Sequence, residues 1–336
     1  MSARVAVIGA GSWGTALANL LAGKGNRVVI WSFEADVANT INRAHENTKY
    51  MKGIALHGNL QATQQLGEAV AGADVVVNVT PSQHVRAVMS EAATHFHEKT
   101  LLVSASKGIE TASLETMAEV LEEVVPGEPG AHACFLSGPS FALEVARHMP
   151  TAVTMASHHL ASATRAQQLF QAPYFRVYTN PDVIGVELGG SLKNVIAIAA
   201  GMAAGLQLGH NALAALITRG LAEITRLGVA RGANPLTFSG LAGMGDLILT
   251  CTGELSRNRS VGVALGQGKS IEEILGGMFM VAEGVETTRA AHALAQRAGI
   301  EMPIVAEVHG VLFEGRTARE AVENLMLREP KPEHWG

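Results

Sequence analysis

A glycine-rich turn near the N-terminus limits the fold of this chain more than any other feature of its sequence. Gly9, Gly11 and Gly14 stand in Gly-x-Gly-x-x-Gly spacing, directly between the apolar run "RVAVI" and the helical pattern "TALANLLAG". In such a turn the first glycine permits a tight bend, the second lets the backbone approach a pyrophosphate, and the third lets the helix pack on the strand. The N–H groups at the start of the helix then face the phosphates. The turn therefore predicts a strand–turn–helix unit that binds a dinucleotide.

The apolar runs that follow predict a parallel sheet. "NRVVIWS", "ADVVVNVTP" and "TLLVSASKG" are nearly continuous in aliphatic residues, and helical patterns follow the last two of them. Strands of this kind are typical of parallel sheets that helices cover on both faces. Three shorter runs, "ACFLSGPS", "TAVTMAS" and "FRVYTN", are expected to complete this domain near Pro181.

The second half of the chain lacks strand patterns and predicts an all-α domain. A length of 336 residues exceeds what one core usually covers, which favours two domains. The predicted helices cover 182–205, 211–230, 283–299, 303–314 and 317–327. A segment rich in glycine and polar residues, "GLAGMGDLILTCTGELSRNR", is expected to interrupt them. The predicted fold class is α/β, with a Rossmann-type doubly wound sheet in residues 1–181 followed by a helical domain in residues 182–336.

Composition excludes several classes of function. A formal net charge of −5 at pH 7 speaks against a general nucleic-acid binder, because such proteins present a basic face to phosphate. The two cysteines follow no CxxC spacing and the 13 histidines form no ligand cluster, so neither a disulfide framework nor a metal site is expected. The N-terminus lacks a signal-peptide pattern, and the most apolar stretch, 195–206, is shorter than the roughly 20 residues of a membrane span. We expect a cytoplasmic protein without an integral membrane segment.

One lysine stands in an unusually apolar segment. Lys193 lies within "ELGGSLKNVIAIAAG", which otherwise holds mostly glycine and aliphatic residues. Lysine is rarely buried, because removing its charge from water is unfavourable unless another group offsets the loss. Either the stem packs on the helix while the ammonium reaches water, or the cation has a chemical role.

Other cations and small polar residues follow predicted strands or begin helices. Lys107 ends a strand in "VSASKGIE", and Gly138 and Ser140 end another in "SGPSFALEVA". Ligands of open α/β sheets bind outside the carboxyl ends of the strands, so these positions suit an anionic substrate or the cofactor. A solvent-exposed lysine in a turn is the alternative for Lys107.

The triplet "SRN" is a candidate phosphate clamp. Ser256, Arg257 and Asn258 supply a hydroxyl, a guanidinium and an amide beside a helix start, and arginine matches phosphate oxygens in a bidentate manner. A polar helix cap with solvated arginines explains the same residues equally well.

The residues that follow the second predicted strand do not distinguish a preference for NAD from a preference for NADP. Enzymes that select NAD place an acid near the end of that strand, where this chain has Ser32. Glu34 and Asp36 come slightly later, and no arginine stands there to hold a 2′-phosphate. We expect use of both cofactors, with NADPH tolerated.

Seven segments in order resemble one family. They are "GAGSWGTALA", "SASKGIE", "SGPSFALEVA", "GVELGGSLKNVIAIAAGMAAGL", "NALAALITRGLAEITRLG", "GMGDLILTCTGELSRNR" and "VAEGVETT". From about Val5 to about Leu325 the chain resembles the bacterial NAD(P)-dependent glycerol-3-phosphate dehydrogenases. The resemblance implies interconversion of dihydroxyacetone phosphate and sn-glycerol 3-phosphate, in the reductive direction for phospholipid synthesis. A homodimer is a candidate assembly.

The resemblance also implies roles for individual residues. Lys193 would be the catalytic proton donor and acceptor. Substrate contacts would come from Lys107, Gly138, Ser140, Lys193, Asp246, Ser256, Arg257 and Asn258. Cofactor contacts would come from Ser12, Trp13, Phe33, Tyr50, Lys107, Ala142, Arg257, Val281 and Glu283, beside the three glycines of the turn. Phe33 departs from the family, which often has a basic residue or histidine at this position.

These roles give the apolar lysine a physical reason. Negative charge develops on oxygen as a ketone is reduced, so a cation that can release a proton there stabilises charge and acts as general acid. Gly189 and Gly190, one turn before Lys193, are expected to leave room for substrate and nicotinamide. Asp246 could orient the ammonium. Because a carboxylate favours the charged form, burial or Lys107 must supply any lowering of the lysine pKa.

Two alternatives share parts of this pattern. A related reductase, such as a 6-phosphogluconate or 3-hydroxyacid dehydrogenase, would explain the glycine turn and the helical lysine but not "SRNR" and "SASKGIE". A non-catalytic dinucleotide-binding protein would bind cofactor without turnover, and it would leave Lys193 without a role.

Overall fold

The computed structural model describes residues 2–277 and 282–333 and shows a mostly parallel sheet followed by a helical region. The strands within those residues are β1 (Arg4–Ile8), β2 (Arg27–Trp31), β3 (Leu60–Thr63), β4 (Val75–Asn78), β5 (Leu101–Ser104), β6 (Cys134–Ser137), β7 (Thr151–Ala156) and β8 (Phe175–Asn180). They form one sheet in the order β3-β2-β1-β4-β5-β6-β7-β8. Only the β6–β7 pair among them is antiparallel. The predicted fold class is confirmed.

Helices cover both faces of this sheet. They are α1 (Ser12–Gly23), α2 (Ala35–Ala44), α3 (Leu66–Val70), α4 (Val85–Ala93), α5 (Met117–Val124), α6 (Glu128–Ala131), α7 (Ala142–Ala146) and α8 (Leu160–Phe170). Alternate residues of β1 point to opposite faces of the sheet. Val5 and Val7 pack into one hydrophobic cluster, and Ala6 and Ile8 pack into the other. Both sides of the strand are therefore buried, which explains its unbroken aliphatic sequence.

The seven predicted strands are all present, and the sheet has one more. Strand β3, "LQAT", was not predicted from the sequence. It lies at the edge of the sheet, where Gln61 is exposed and both Ala62 and Thr63 are half-buried. A short edge strand with one open side lacks the continuous aliphatic pattern of the central strands.

The helical region is built around one long buried helix. It contains α9 (Val183–Gly205), α10 (Gly209–Ala230), α11 (Pro235–Phe238), a π-helical turn (Leu241–Gly245), α12 (Asp246–Thr252), α13 (Arg257–Gly266), α14 (Ile271–Gly276), α15 (Glu283–Ala298), α16 (Pro303–Phe313) and α17 (Ala318–Met326). Two residues separate the last strand from helix α9, and the Asp182 side chain caps the helix by accepting from the Gly185 N–H. The domain boundary between residues 181 and 182 stays a prediction.

The expectation that the apolar stretch is too short to span a membrane was wrong on length. Helix α9 has 23 residues and is long and apolar enough to cross a bilayer by length and composition. Within the protein, however, 94% of its most apolar window is buried. A helix surrounded by α10, α12, α13 and α15 meets the same criterion as a membrane span, and its burial identifies it as a core helix.

The segment predicted to interrupt the helices is itself mostly helical. It forms the π-helical turn, α12 and the start of α13. Its continuation explains why glycine occurs in helices here: a Cβ on Gly262 would lie 2.0 Å from the Ile198 carbonyl oxygen, and a Cβ on Gly201 would lie 2.1 Å from that of Arg259. Helices α9 and α13 therefore cross with their backbones in close approach, which requires glycine on both.

Candidate active site

A cleft of about 770 Å³ lies between the carboxyl ends of the sheet strands and the helical region. Most residues predicted to bind substrate or cofactor line it: Gly9, Gly11, Ser12, Trp13, Gly14, Phe33, Tyr50, Lys107, Ser140, Ala142, Lys193, Asp246, Ser256, Arg257, Asn258 and Glu283. Gly138 does not line the cleft but contacts Lys107 through its carbonyl oxygen. Val281 lies outside the described residues. The structure thus brings together residues from distant parts of the sequence.

The glycine turn has the geometry that a dinucleotide requires. Gly9 has φ +115°, in the region that favours glycine, and a Cβ on Gly14 would lie 1.9 Å from the Gly9 carbonyl oxygen. Gly11, in contrast, faces open space, with no atom within 4 Å of the position where a Cβ would stand. It also precedes α1 without a side-chain cap, so the first N–H groups of the helix face the cleft side of the turn.

Two further features of this end fit a bound dinucleotide. The Trp13 indole N–H is buried yet has no hydrogen-bond partner among the described residues, although Trp13 lines the cleft. The buried Asn47 amide donates to the Ala10 carbonyl oxygen at 2.8 Å and to the Thr15 hydroxyl at 2.9 Å, which fixes the turn against α1. The backbone of the turn is therefore held in a conformation that suits phosphate, and the Trp13 indole N–H is a donor that a ligand could satisfy.

Lys193 and Lys107 meet on one buried carboxylate. Asp246 follows the π-helical turn and is 2% exposed. Its Oδ2 lies 2.7 Å from the Lys107 ammonium, and its Oδ1 lies 3.2 Å from the Lys193 ammonium. One carboxylate thus joins the end of β5 to helix α9. π-Helical turns occur frequently at functional sites, and this one aims Asp246 at both cations.

Further hydrogen bonds orient the Lys193 ammonium. It donates to the Thr250 hydroxyl at 2.9 Å and to the Asn194 side-chain oxygen at 3.2 Å. The side chain is only 8% exposed, so the interpretation of a packed stem with its ammonium in water is wrong. The ammonium lies instead at the wall of the cleft, held by three oxygen atoms.

The "SRN" triplet forms a polar helix cap at the edge of the cleft, and the phosphate clamp stays a prediction. Ser256 is the N-cap of α13 and accepts from the Arg259 N–H at 3.2 Å, as a polar cap does. The Asn258 side-chain oxygen accepts from the Gly284 N–H at 3.0 Å, which ties α13 to α15. Exposed Arg257 lines the cleft beside these two residues. A capped helix start therefore presents a guanidinium to the cleft.

Comparison with known proteins places this site within a family. Residues 4–163 match the model of the N-terminus of NAD-dependent glycerol-3-phosphate dehydrogenase, and residues 182–323 match the model of its C-terminus. The chain belongs to this family. A glycerol-3-phosphate dehydrogenase (NAD(P)+) of Geobacter metallireducens is 56% identical over 99% of both chains, and that of Geobacter sulfurreducens is 55% identical over 100% of both.

Solved structures of the family have the same fold. The crystal structure of glycerol-3-phosphate dehydrogenase from Coxiella burnetii has a TM-score of 0.93 at 40% identity and covers 97% of this chain and 99% of its own. The Saccharomyces cerevisiae enzyme has a TM-score of 0.80 at 29% identity. The predicted family is confirmed, and with it a nicotinamide-dependent oxidoreductase that acts on a CH–OH group.

The electrostatics of the lysine cluster favour proton exchange. Burial lowers the pKa of the Lys193 ammonium from its usual range, and the nearby Lys107 cation lowers it further. The Asp246 carboxylate opposes both effects and raises that pKa. The sequence argument that burial or Lys107 must lower the pKa against Asp246 therefore agrees with the structure. Because its pKa is lowered, Lys193 can exchange a proton at a pH closer to neutral than a solvated lysine can.

Lys107 is positioned by a network at the ends of two strands. The Ser106 hydroxyl donates to the Thr80 carbonyl oxygen at 2.6 Å, and the Asn78 amide donates to Ser106 at 3.1 Å. These bonds join the end of β4 to the segment after β5. The Lys107 ammonium also donates to the Gly138 carbonyl oxygen at 3.3 Å. The alternative of a solvent lysine in a turn is wrong, because its side chain is 16% exposed and paired.

The expected role of the paired glycines in α9 was wrong. A Cβ on Gly189 would lie 2.6 Å from the Ala242 carbonyl oxygen, and a Cβ on Gly190 would lie 2.5 Å from the Ser137 hydroxyl oxygen. Neither glycine lines the cleft. Their lack of side chains lets α9 pack against the π-helical turn and β6, rather than leaving room for ligands.

Sequence reasoning missed two side chains that contact Lys193. Thr250 lies one turn after Asp246 on α12 and also donates to the Asp246 carbonyl oxygen at 2.6 Å. Asn194 adjoins Lys193 in the chain. The i, i+4 spacing of Asp246 and Thr250 could have indicated Thr250, since such residues share a helix face. No spacing relates Thr250 to Lys193, because the contact depends on how α12 packs on α9.

Proposed function

We propose that this chain catalyses the reversible NAD(P)-dependent reduction of dihydroxyacetone phosphate to sn-glycerol 3-phosphate, with Lys193 as general acid and base. One observation carries the proposal most directly. The buried cluster of Lys193, Asp246 and Lys107 opens onto the same cleft as the glycine turn. A dinucleotide site and a proton-exchanging cation therefore share one space, as hydride transfer to a ketone requires.

The residues around the turn would hold the dinucleotide. Gly9, Gly11 and Gly14 provide the backbone cradle, and Ser12 and Trp13 begin the helix whose N-terminus faces it. Phe33, Tyr50, Ala142 and Glu283 line the same cleft and would contact other parts of the cofactor. When bound, the reduced nicotinamide supplies a hydride to the substrate carbonyl carbon.

The lysine cluster would manage the charge that appears on the substrate oxygen. Lys193 stabilises the developing alkoxide and donates a proton to it, and it accepts the proton in the oxidative direction. Asp246, Thr250 and Asn194 hold the ammonium in place through three oxygen atoms. Burial lowers the pKa of Lys193, and the nearby Lys107 cation lowers it further.

The phosphate of the substrate would bind to Arg257. Its guanidinium can donate hydrogen bonds to two phosphate oxygens at once, and the capped start of α13 fixes its backbone. Asn258 and Ser256 line the cleft beside it, and Ser140 also lines the cleft and donates to the Gly138 carbonyl oxygen. The cations of Lys107, Lys193 and Arg257 in this cleft would favour a phosphorylated ketone over an uncharged one.

The experiment follows the absorbance of reduced nicotinamide at saturating dihydroxyacetone phosphate, with NADPH and with NADH in separate assays. We expect loss of absorbance with both. Folded protein that binds NADPH without oxidising it would favour the non-catalytic alternative. Oxidation of NADPH only by a 3-keto acid, or reduction of NADP only by 6-phosphogluconate, would favour the related reductases.

The cellular setting of the reaction also belongs to the proposal. The family resemblance supports supply of sn-glycerol 3-phosphate to phospholipid synthesis, a cytoplasmic location and a homodimer. Sedimentation of the purified chain tests the assembly, with a mass near twice the 35.1 kDa of one chain expected. A single species at 35.1 kDa across the concentration range would contradict it.

A further inference from the structure

The end of the cleft next to β2 holds an acid, Glu34, two residues after the position where Rossmann-type folds usually recognise the cofactor ribose. Ser32, which occupies the expected position in sequence, is 1% exposed. Its hydroxyl donates to the Glu34 carbonyl oxygen at 2.9 Å and accepts from the Glu34 N–H at 3.2 Å. Ser32 is therefore committed to a local turn, and the side chain that this turn presents to the cleft as an acid is Glu34.

Glu34 is paired with a cation through only one of its oxygens. Its Oε1 accepts from the Lys49 ammonium at 2.6 Å and from the Tyr50 hydroxyl at 3.0 Å. Its Oε2 receives no hydrogen bond from the described residues, and the side chain is 30% exposed. The neighbouring Phe33, 84% exposed, carries no charge. An anionic group that lines the cleft and a cationic group just outside its lining therefore lie side by side.

We propose that Glu34 and Lys49 together determine which dinucleotide the chain accepts. Oε2 of Glu34 accepts from the 2′-hydroxyl of NAD, and Lys49 pairs with the 2′-phosphate of NADP. The inference rests on the proposed function. Because the pair is neutral as a whole, neither cofactor is rejected, which gives a physical basis for the use of both.

Each half of the pair has an opposite effect when removed. Glu34→Gln leaves Lys49 unopposed, so the 2′-phosphate meets a cation alone while the 2′-hydroxyl loses its charged acceptor. Lys49→Met leaves the Glu34 carboxylate unopposed, so the 2′-phosphate meets an anion. The Met side chain keeps an unbranched stem. Lys331→Met is the matched control, because it removes an exposed lysine that is 2.9 Å from Glu301, an acid that, unlike Glu34, does not line the cleft.

The test measures dissociation constants of NADH and NADPH by isothermal titration calorimetry without substrate, and kcat/KM for both in parallel. Loss of one hydrogen bond or ion pair of a charged group typically changes a dissociation constant by about tenfold. We expect Glu34→Gln to shift the ratio about tenfold towards NADPH and Lys49→Met to shift it about tenfold towards NADH. Lys331→Met should leave the ratio as in the parent.

Two results separate this inference from the proposed function. Ratios within twofold of the parent for both variants, in binding as well as in turnover, would overturn the role of the pair. A parent chain that binds both dinucleotides but reduces no dihydroxyacetone phosphate would overturn the proposed function. The binding ratios of the variants would still show whether Glu34 and Lys49 determine the choice of dinucleotide. Shifts in the same direction for both variants would also refute it.

Discussion

At the scale of single residues, the site depends on a lysine that the fold removes from water. Burial alone would be unfavourable for the Lys193 cation, and three oxygen atoms offset part of that loss. The same contacts fix the direction of the ammonium. A group whose charge is balanced between burial and a carboxylate is suited to exchange a proton with substrate.

Replacement of Lys193 by methionine separates packing from chemistry. Lys193→Met keeps an unbranched stem and removes the ammonium, so the chain should fold and bind NADPH with an affinity near that of the parent. Positioned proton transfer typically contributes about 10²- to 10⁴-fold, and kcat should fall by that factor. Steady-state kinetics and calorimetric binding of NADPH measure both. A variant that turns over at the parental kcat would refute the catalytic role.

The pH dependence of the oxidation of sn-glycerol 3-phosphate reports the neighbours of Lys193. Lys193 must be uncharged to accept a proton, so kcat rises with pH through its pKa. Asp246 raises that pKa and Lys107 lowers it. Asp246→Asn should therefore shift the rising limb to lower pH, and Lys107→Met should shift it to higher pH. Shifts of both limbs in one direction would contradict this electrostatic account.

Arg257 should affect substrate binding more than the chemical step. Arg257→Ala removes the proposed bidentate phosphate contact, and KM for dihydroxyacetone phosphate should rise by about tenfold or more. Unphosphorylated dihydroxyacetone should be a poor substrate for parent and variant alike. Arg297→Ala, in the last turn of α15 outside the cleft lining, is the matched control. An unchanged KM would leave Arg257 as a solvated residue of the helix cap.

At the scale of elements, one buried acid holds two helices of the helical region together. Glu223 on α10 is 3% exposed and accepts from the Ile304 N–H at 2.8 Å and the Val305 N–H at 3.3 Å, at the start of α16. Burial raises the pKa of its carboxyl to about 7, against these hydrogen bonds. Its stabilising contribution is therefore complete below the unfolded pKa near 4.5 and is lost as pH rises through about 7.

Glu223→Gln should remove the loss of stability that ionisation of this carboxyl causes as pH rises. The amide oxygen can still accept from the Ile304 N–H, and the side chain no longer titrates. The melting temperature of the variant should exceed that of the parent at pH 8, and the difference should shrink as pH falls towards 5. Thermal melts at several pH values measure it, with exposed Glu272→Gln as the control. A variant that is less stable than the parent at pH 8 would show that the charged form is favourable.

Elements also show where sequence reasoning succeeds. The central strands bury both faces, so their aliphatic runs predicted them directly, and the glycine turn followed from its spacing. Helix α13 was not predicted as a continuous element, because Gly262 and Gly266 are unfavourable in a helix until α9 packs against them. The Lys193–Thr250 contact has the same cause. Local sequence indicates the propensity for helix or strand, whereas contacts between helices depend on how the elements pack.

At the scale of the whole molecule, the sheet and the helical region share hydrophobic clusters. Ile109, which follows β5, packs into the core around α9. In return, Val183, Val186 and Ala242 pack into the cluster on one face of the sheet. The Lys107–Asp246 ion pair crosses the same boundary. Since the regions complete each other's cores, they should unfold together rather than as independent units.

This shared packing predicts a single thermal transition that cofactor raises as a whole. A ligand at 100 times its Kd stabilises the folded state by about 2.7 kcal/mol, which corresponds to an increase of a few degrees in Tm. The proposed cofactor contacts include the glycine turn in the sheet region and Glu283 in the helical region, so the number of transitions without cofactor tests whether the two regions unfold together. Differential scanning calorimetry with NADPH measures this, and nicotinamide at equal concentration is the control because it lacks the phosphates. Two resolved transitions, of which NADPH moves one, would show instead that the regions unfold independently.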